Sequence, residues 1–157
     1  MNQSIDYIGM KIPAKPEFVS VVRLTLSGIA SRMEFAYEDI EDLKIAVSEA
    51  CTNAVQHAYK QNKRGEVTVG FRLYEDRLEV TISDNGESKN IQDVHLKKVP
   101  YNKNDSFEAL REGGLGLYLM ETLMDEVVIH QNEGVTVIMT KYLEREQVER
   151  NAKTIST

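Results

Sequence analysis

A single cysteine in 157 residues closes off some kinds of architecture. Cys51 has no partner for an internal disulfide, and a thiolate zinc site cannot be assembled from it. Such sparing use suits a reducing compartment, and a cytoplasmic location is the expectation. No apolar run approaches the roughly 18 residues that a membrane-spanning helix needs. The start, "MNQSIDYIGMK", lacks the basic-then-apolar order of a signal peptide. No membrane association is therefore expected. Positive charge is also short: the formal net charge of -6 argues against direct nucleic-acid binding and against anionic lipid, and it favours basic partner surfaces. Internal repeats and low-complexity tracts are absent. What remains is ordinary globular material, 41% apolar and 28% charged, enough for one domain with a buried core.

The hydrophobic pattern divides the chain. "DYIGMKIPA" alternates as a short strand ending near Pro13. "KPEFVSVVRLTLSGIASRM" repeats Phe18, Val21, Val22, Leu26 and Ile29 at helical spacing, with Pro16 in its first turn. "YEDIEDLKIAVSEACTNAVQHAYK" is the longest helical pattern and is acidic at its start, as the helix dipole favours. Leu43, Val47, Ala50, Ala54 and Ala58 share one arc, while Glu49, Asn53, Gln56 and Lys60 form a separate stripe. "EVTVGFRLYEDRLEVTISD" has period two on both sides of "YED" and reads as a hairpin with one buried side. A polar stretch follows, then "GGLGLYLMETLMDEV" turns helical, and "VVIHQNEGVTVIMTKYL" reads as a second hairpin. The order β-α-α-β-β-loop-α-β-β predicts an α+β fold with helices layered on one face of a mainly antiparallel sheet. The polar loop at about 87–112 is longer than connections in compact domains usually are, which points to a functional or disordered segment.

Within that frame, chemistry can be sited in separate stretches. Glu49 and Asn53 stand one turn apart, about 6 Å along the axis, and leave the same side of the helix. A carboxamide oxygen is a hard neutral ligand suited to Mg²⁺, and a carboxylate beside it can take a proton from a hydroxyl. Ala46 and Ala50 leave room for a ligand next to them. The same spacing also serves a plain solvated helix face. In "SDNGE" (83–87), Asp84 can accept a hydrogen bond from an exocyclic amine, and Gly86 lets the chain turn close to a flat ring; Asp-Asn-Gly is equally good turn chemistry. In "EGGLGLYLM" (112–120), glycines opening a helix free N–H groups to face an anion. No Gly-Lys-Ser/Thr follows, so this is not a Walker loop; the alternative is a flexible junction. Arg111 can reach a phosphate as a charged fork. His57 lies to one side of the polar stripe and reads as a packed or surface histidine, and Cys51 as a small core residue.

Taken in order, Glu-x-x-x-Asn on a helix, Asp-x-Gly after a strand and Gly-x-Gly opening a helix resemble the N, G1 and G2 boxes of the GHKL superfamily of ATP-binding domains. "VRLTLSG", "DIEDLKIAVSEACTNAVQHAYK", "EGGLGLYLMETLMDEV" and "GVTVIMTKYL" are similar, more narrowly, to the anti-sigma-B factor serine-protein kinases of Gram-positive bacteria. The resemblance covers roughly residues 7 to 143. It implies a two-layer α/β sandwich of the Bergerat type with a mainly antiparallel mixed sheet. It implies a kinase domain over 1–143, an ATP-lid loop at about 87–112 and a polar tail at 144–157. It makes Glu49 the general base and Asn53 the Mg²⁺ ligand. Asp84 becomes the partner of the adenine amino group, with Gly86 beside it. Gly114, Leu115 and Gly116 become the phosphate-wrapping turn, with Arg111 as a phosphate contact and Thr136 near the adenine end. Ser88 stands where the family has a second G1 glycine.

The implied function is that of an anti-sigma factor and ATP-dependent protein serine kinase. Such a protein sequesters a general-stress sigma factor of RNA polymerase and phosphorylates a serine on a STAS-type anti-anti-sigma partner, using ATP and Mg²⁺, as a homodimer. Competing readings are a nucleotide-gated anti-sigma binding module without kinase activity and a GHKL ATPase or histidine-kinase-like domain. Glu49 argues against the first, since binding alone needs no base. The lack of a phosphoacceptor-histidine helix before the domain argues against the second.

Overall fold

Alternating side chains build the sheet around its central hairpin. The computed structural model describes residues 4–61, 64–84, 114–131 and 134–144. Strands β2 (Glu66–Leu73) and β3 (Arg77–Ser83) pair with Val69 opposite Ile82, Phe71 opposite Val80 and Leu73 opposite Leu78. Opposed residues share a face, so this register puts all six apolar side chains on the same side. Strand β1 (Asp6–Pro13) flanks β2, as the first alternating segment predicts. Strand β5 (Val135–Tyr142) lies along the other side of β3, and β4 (Glu126–Gln131) closes the far edge, in the order β1-β2-β3-β5-β4. Every pairing among these strands is antiparallel, which narrows the expectation of a mainly antiparallel sheet.

Helices cover one face. A short 3-10 turn at Pro16–Phe18 leads into α1 (Val19–Arg32), followed by α2 (Tyr37–Gln61) and α3 (Gly114–Leu123). Val22 and Leu26 of α1, Leu43, Val47 and Ala50 of α2, and Leu117 and Met120 of α3 join Val69, Phe71, Val80, Ile82 and Met139 of the sheet in one core cluster. The predicted apolar arc of α2 is the face that enters this core. The loop at 87–112, with Gly86 just before it, and residues 145–157 lie outside the described residues.

The turn from α1 into α2 is made by a Schellman arrangement without glycine. Phe35 N–H donates to Ala30 O at 3.1 Å and Glu34 N–H to Ser31 O at 3.0 Å. Glu34 takes the left-handed conformation, φ 66°, where glycine is usual. Phe35 is buried and anchors the turn. Glu34→Gly is expected to stabilise the fold by about 1 kcal/mol, the relieved strain offset in part by a freer unfolded chain. The urea midpoint reads this, and a lower midpoint would show that Glu34 is not strained.

Cys51 is fully buried in the core. Burial pushes its thiol up to about 12 from an ordinary value of 9.0, with the Arg23 charge opposing. The native state therefore keeps its proton where the unfolded chain loses it. Stability is insensitive to this group below pH 9 and falls as pH rises from 9 toward 12. A thiol reagent at pH 8 is expected to label Cys51 only at the rate of unfolding; rapid labelling of the native protein contradicts this burial.

Candidate functional site

Helix α2 carries the centre of the site because its middle turns present small residues toward the sheet and polar ones beside them. Ala46 and Ala50 are buried, whereas Glu49 and Asn53 are half-buried on the flank that faces α3. The start of α3 comes directly against them. A Cβ built on Gly116 would stand 2.8 Å from Glu49 Oε2 and 3.7 Å from Asn53 Nδ2. Any side chain at 116 would have to displace the carboxylate. Asn53 Nδ2 is buried and has no hydrogen-bond partner among the described residues. The amide is buried with bonding capacity left over.

Asp84 stands at the other end, where β3 stops. Its Oδ1 accepts the Val135 N–H at 2.8 Å, and its own N–H donates to Val135 O at 3.3 Å. The β3–β5 register, which sets Ile82 opposite Val137 and Ser83 opposite Thr136, delivers Asp84 beside Val135. Oδ2 lies against His57 Nδ1 of α2. Asp84 is only 7% exposed, so its carboxylate needs these neighbours. Beside Asp84, between α2, α3 and the sheet, the described residues leave a small cleft. Ile82, Val135, Val137 and Met120 form apolar walls, and Asn53, His57 and Asp84 supply the polar atoms.

The described positions of the sequence candidates divide into groups. Glu49, Asn53 and Gly116 meet where α3 starts against α2, and Asn53 lines the same cleft as Asp84. Gly114 and Leu115 lie in the first turn of α3. Thr136 is a correction: strand alternation puts Val135 and Val137 on the cleft wall and sends Thr136 to the opposite face, where its hydroxyl donates to Ser83 Oγ at 3.2 Å. Gly86, Ser88 and Arg111 fall outside the described residues. His57 is the residue that sequence reasoning set aside. Its four-residue step from Asn53 was the available signal, but only the fold puts Asp84 in front of it.

Chemically, the cleft is bipolar. A buried carboxylate among flat apolar walls suits a ring that offers an N–H donor. A carboxylate, a carboxamide and the N-terminus of α3, with its free N–H groups and partial positive charge, suit a polyanion with a divalent cation. No group of three or more His, Cys, Asp or Glu side chains that could hold a metal occurs among the described residues. Glu49 and Asn53 are hard-oxygen donors of the kind that suit Mg²⁺ when substrate phosphates and water share its coordination.

This geometry is that of a nucleotide-binding domain, and comparison with known proteins gives the class. The profile of the histidine kinase-like ATPase domain matches residues 12–141. A serine-protein kinase RsbW of Bacillus velezensis is 61% identical over 149 residues, covering 95% of this chain and 93% of the relative. The Bacillus subtilis serine-protein kinase RsbW is 58% identical over 151 residues, covering 96% and 94%. The chain belongs to the RsbW family within the histidine kinase-like ATPase domains. A crystal structure of the RsbU and RsbW domains of a Mycobacterium tuberculosis protein shares the fold, with a TM-score of 0.62 at 22% identity over 88% of this chain and 32% of that one.

The close approach of α3 to Glu49 has a direct consequence. Gly116→Ala is expected to leave the unfolding midpoint within about 1 kcal/mol of the original, because the tip of a glutamate side chain can move. ATP affinity is expected to fall by about tenfold or more as the carboxylate is pushed out of its place beside Asn53. Calorimetric titration checks this; unchanged affinity would mean that the contact does not border the nucleotide.

Proposed function

We propose that this chain is an ATP-dependent protein serine kinase that also acts as an anti-sigma factor. The observation that carries the reading is that Asn53, against which Gly116 and Glu49 meet, lines the same cleft as Asp84, in a chain 58% to 61% identical to serine-protein kinases. Asp84, steadied by Val135 and flanked by His57, would accept the adenine amino group, with Gly86 beside it. Gly114, Leu115 and Gly116 would direct backbone N–H groups at the phosphates, and Arg111 would add a charged fork. Asn53 would hold Mg²⁺, which supplies charge neutralisation on the phosphates.

Glu49 does the proton work in this reading. The partner's serine hydroxyl gives its proton to the Glu49 carboxylate as the serine oxygen bonds to the γ-phosphorus. The bond from that phosphorus to the β–γ bridging oxygen breaks, and ADP leaves. Positioning and charge stabilisation supply most of the rate, so a domain of this size suffices. The acceptor would be a STAS-type anti-anti-sigma protein, whose new phosphate disrupts its docking by charge and desolvation. The chain's own partner would be a general-stress sigma factor, held away from RNA polymerase. A homodimer, a cytoplasmic location, a nucleotide domain spanning 1–143, a lid at 87–112 and a tail at 144–157 complete the reading. No described helix is long and apolar enough to cross a membrane.

The test uses γ-labelled ATP, Mg²⁺ and an anti-anti-sigma protein as acceptor. Label is expected on a serine of the acceptor, and Glu49→Ala is expected to slow its appearance by about 10²-fold or more while ATP still binds. Binding without label would leave a nucleotide-gated module, and free phosphate without labelled protein would leave an ATPase.

A further inference from the structure

A lysine on the sheet ties together the ends of α2 and α3 farthest from the cleft. Lys141, in β5, is only 7% exposed. Its Nζ donates to the carbonyl of Leu123, the last residue of α3, at 2.7 Å. The same ammonium lies 3.8 Å from Asp39 Oδ1 and 3.9 Å from Asp42 Oδ2, in the opening turns of α2. A buried cation is retained only with such partners, and a cation at a helix C-terminus also complements its dipole. The chain just after α3 is bonded to β5 as well: Asp125 N–H donates to Thr140 O at 3.0 Å, and Tyr142 N–H donates to Asp125 Oδ2 at 2.7 Å.

The other end of α3 is the phosphate end of the cleft. Gly116 abuts Glu49 there. From Gly116 to Leu123 is seven residues on α3 (123 − 116), and from Asp42 to Glu49 is seven on α2 (49 − 42). The helices therefore run antiparallel with matched spans of about 10 Å, fastened at one end by Lys141 and touching the site at the other. Along that span α2 carries the small buried side chains Ala46 and Ala50 next to the flank that faces α3. Alanines make shallow ridges, and shallow ridges set the axial position of a packed helix weakly. Polar contacts at its C-terminal end, of which the Lys141 bond to Leu123 is made to the helix itself, can then set where α3 sits.

We propose that Lys141 is a positioning residue: it sets the axial register of α3 along α2, and so places the glycine N-terminus of α3 over Glu49 and Asn53 without touching nucleotide. The inference rests on the ATP reading above for its consequence, though not for its geometry. It predicts that losing the tether harms binding of the triphosphate and spares binding of the nucleoside, which Asp84 holds from the opposite end.

The experiment compares the full-length protein with Lys141→Met and with the double variant Asp39→Asn, Asp42→Asn. Calorimetry measures Mg-ATP and adenosine separately, and hydrogen exchange of the 117–123 amides is followed without ligand. Lys141→Met is expected to weaken Mg-ATP by about tenfold or more, leave adenosine within about twofold and speed exchange in α3. The double variant is expected to do the same to a smaller degree, with Lys141→Arg restoring part of the ATP affinity. Equal loss of both ligands, or unchanged ATP affinity in a folded Lys141→Met protein, overturns the proposal. If Lys141→Met does not fold, wild-type ATP affinity in the double variant overturns it instead. Should the original protein bind no ATP, the kinase reading fails, and exchange in α3 still decides whether Lys141 holds the helix.

Discussion

The close approach of a side-chain-free backbone at 116 to the carboxylate of Glu49 is the contact on which the rest of the site depends. It is a constraint of volume: the space that a Cβ at 116 would need is occupied by Oε2 of Glu49. Because that space is shared, α3 can start against the middle of α2, and a helix N-terminus, a carboxylate and a carboxamide can face one small region. Helices packed with full side chains stand roughly 8–10 Å apart between axes. Glycine here leaves the Glu49 carboxylate in its place; an alanine would push it aside.

The opposite end of the cleft depends on strand register. Asp84 follows directly on β3, and the pairing with β5 gives it Val135 N–H as a fixed donor. A one-residue slip would turn Asp84 to the other face, along with the apolar side chains that line the cleft. The buried set of Val69, Phe71, Val80, Ile82 and Met139 therefore does two things. It stabilises the domain by removing apolar surface from water, and it aims a carboxylate into a pocket. A buried carboxylate set by sheet register and a carboxylate–carboxamide pair set by helix packing give the site two chemically different ends, which supports the proposal of a ligand flat at one end and charged at the other.

Much of this was readable before folding. The long α2 pattern, the two hairpins, the one-sided helical layer and the candidates Glu49, Asn53, Asp84 and Gly116 all follow from periodicity, residue chemistry and family resemblance. Periodicity speaks to one element at a time, which explains the misses. Thr136 enters as a site residue from the family resemblance alone, but one step along a strand is the difference between faces, and the cleft wall falls to Val135 and Val137. His57 looked incidental because its partner lies on β3, in a separate element. Lys141 gave no signal at all: a lysine in an apolar strand would ordinarily be expected to reach solvent.

The sequence by itself determined the elements, the buried face of each and the chemical types available, because these depend on local spacing and on transfer from water. Tertiary structure alone decided which chemistry meets which. Contacts between Gly116 and Glu49, His57 and Asp84, or Lys141 and the end of α3 join residues far apart in the chain. Their geometry is set by how helices seat on a sheet, and no local pattern encodes that distance.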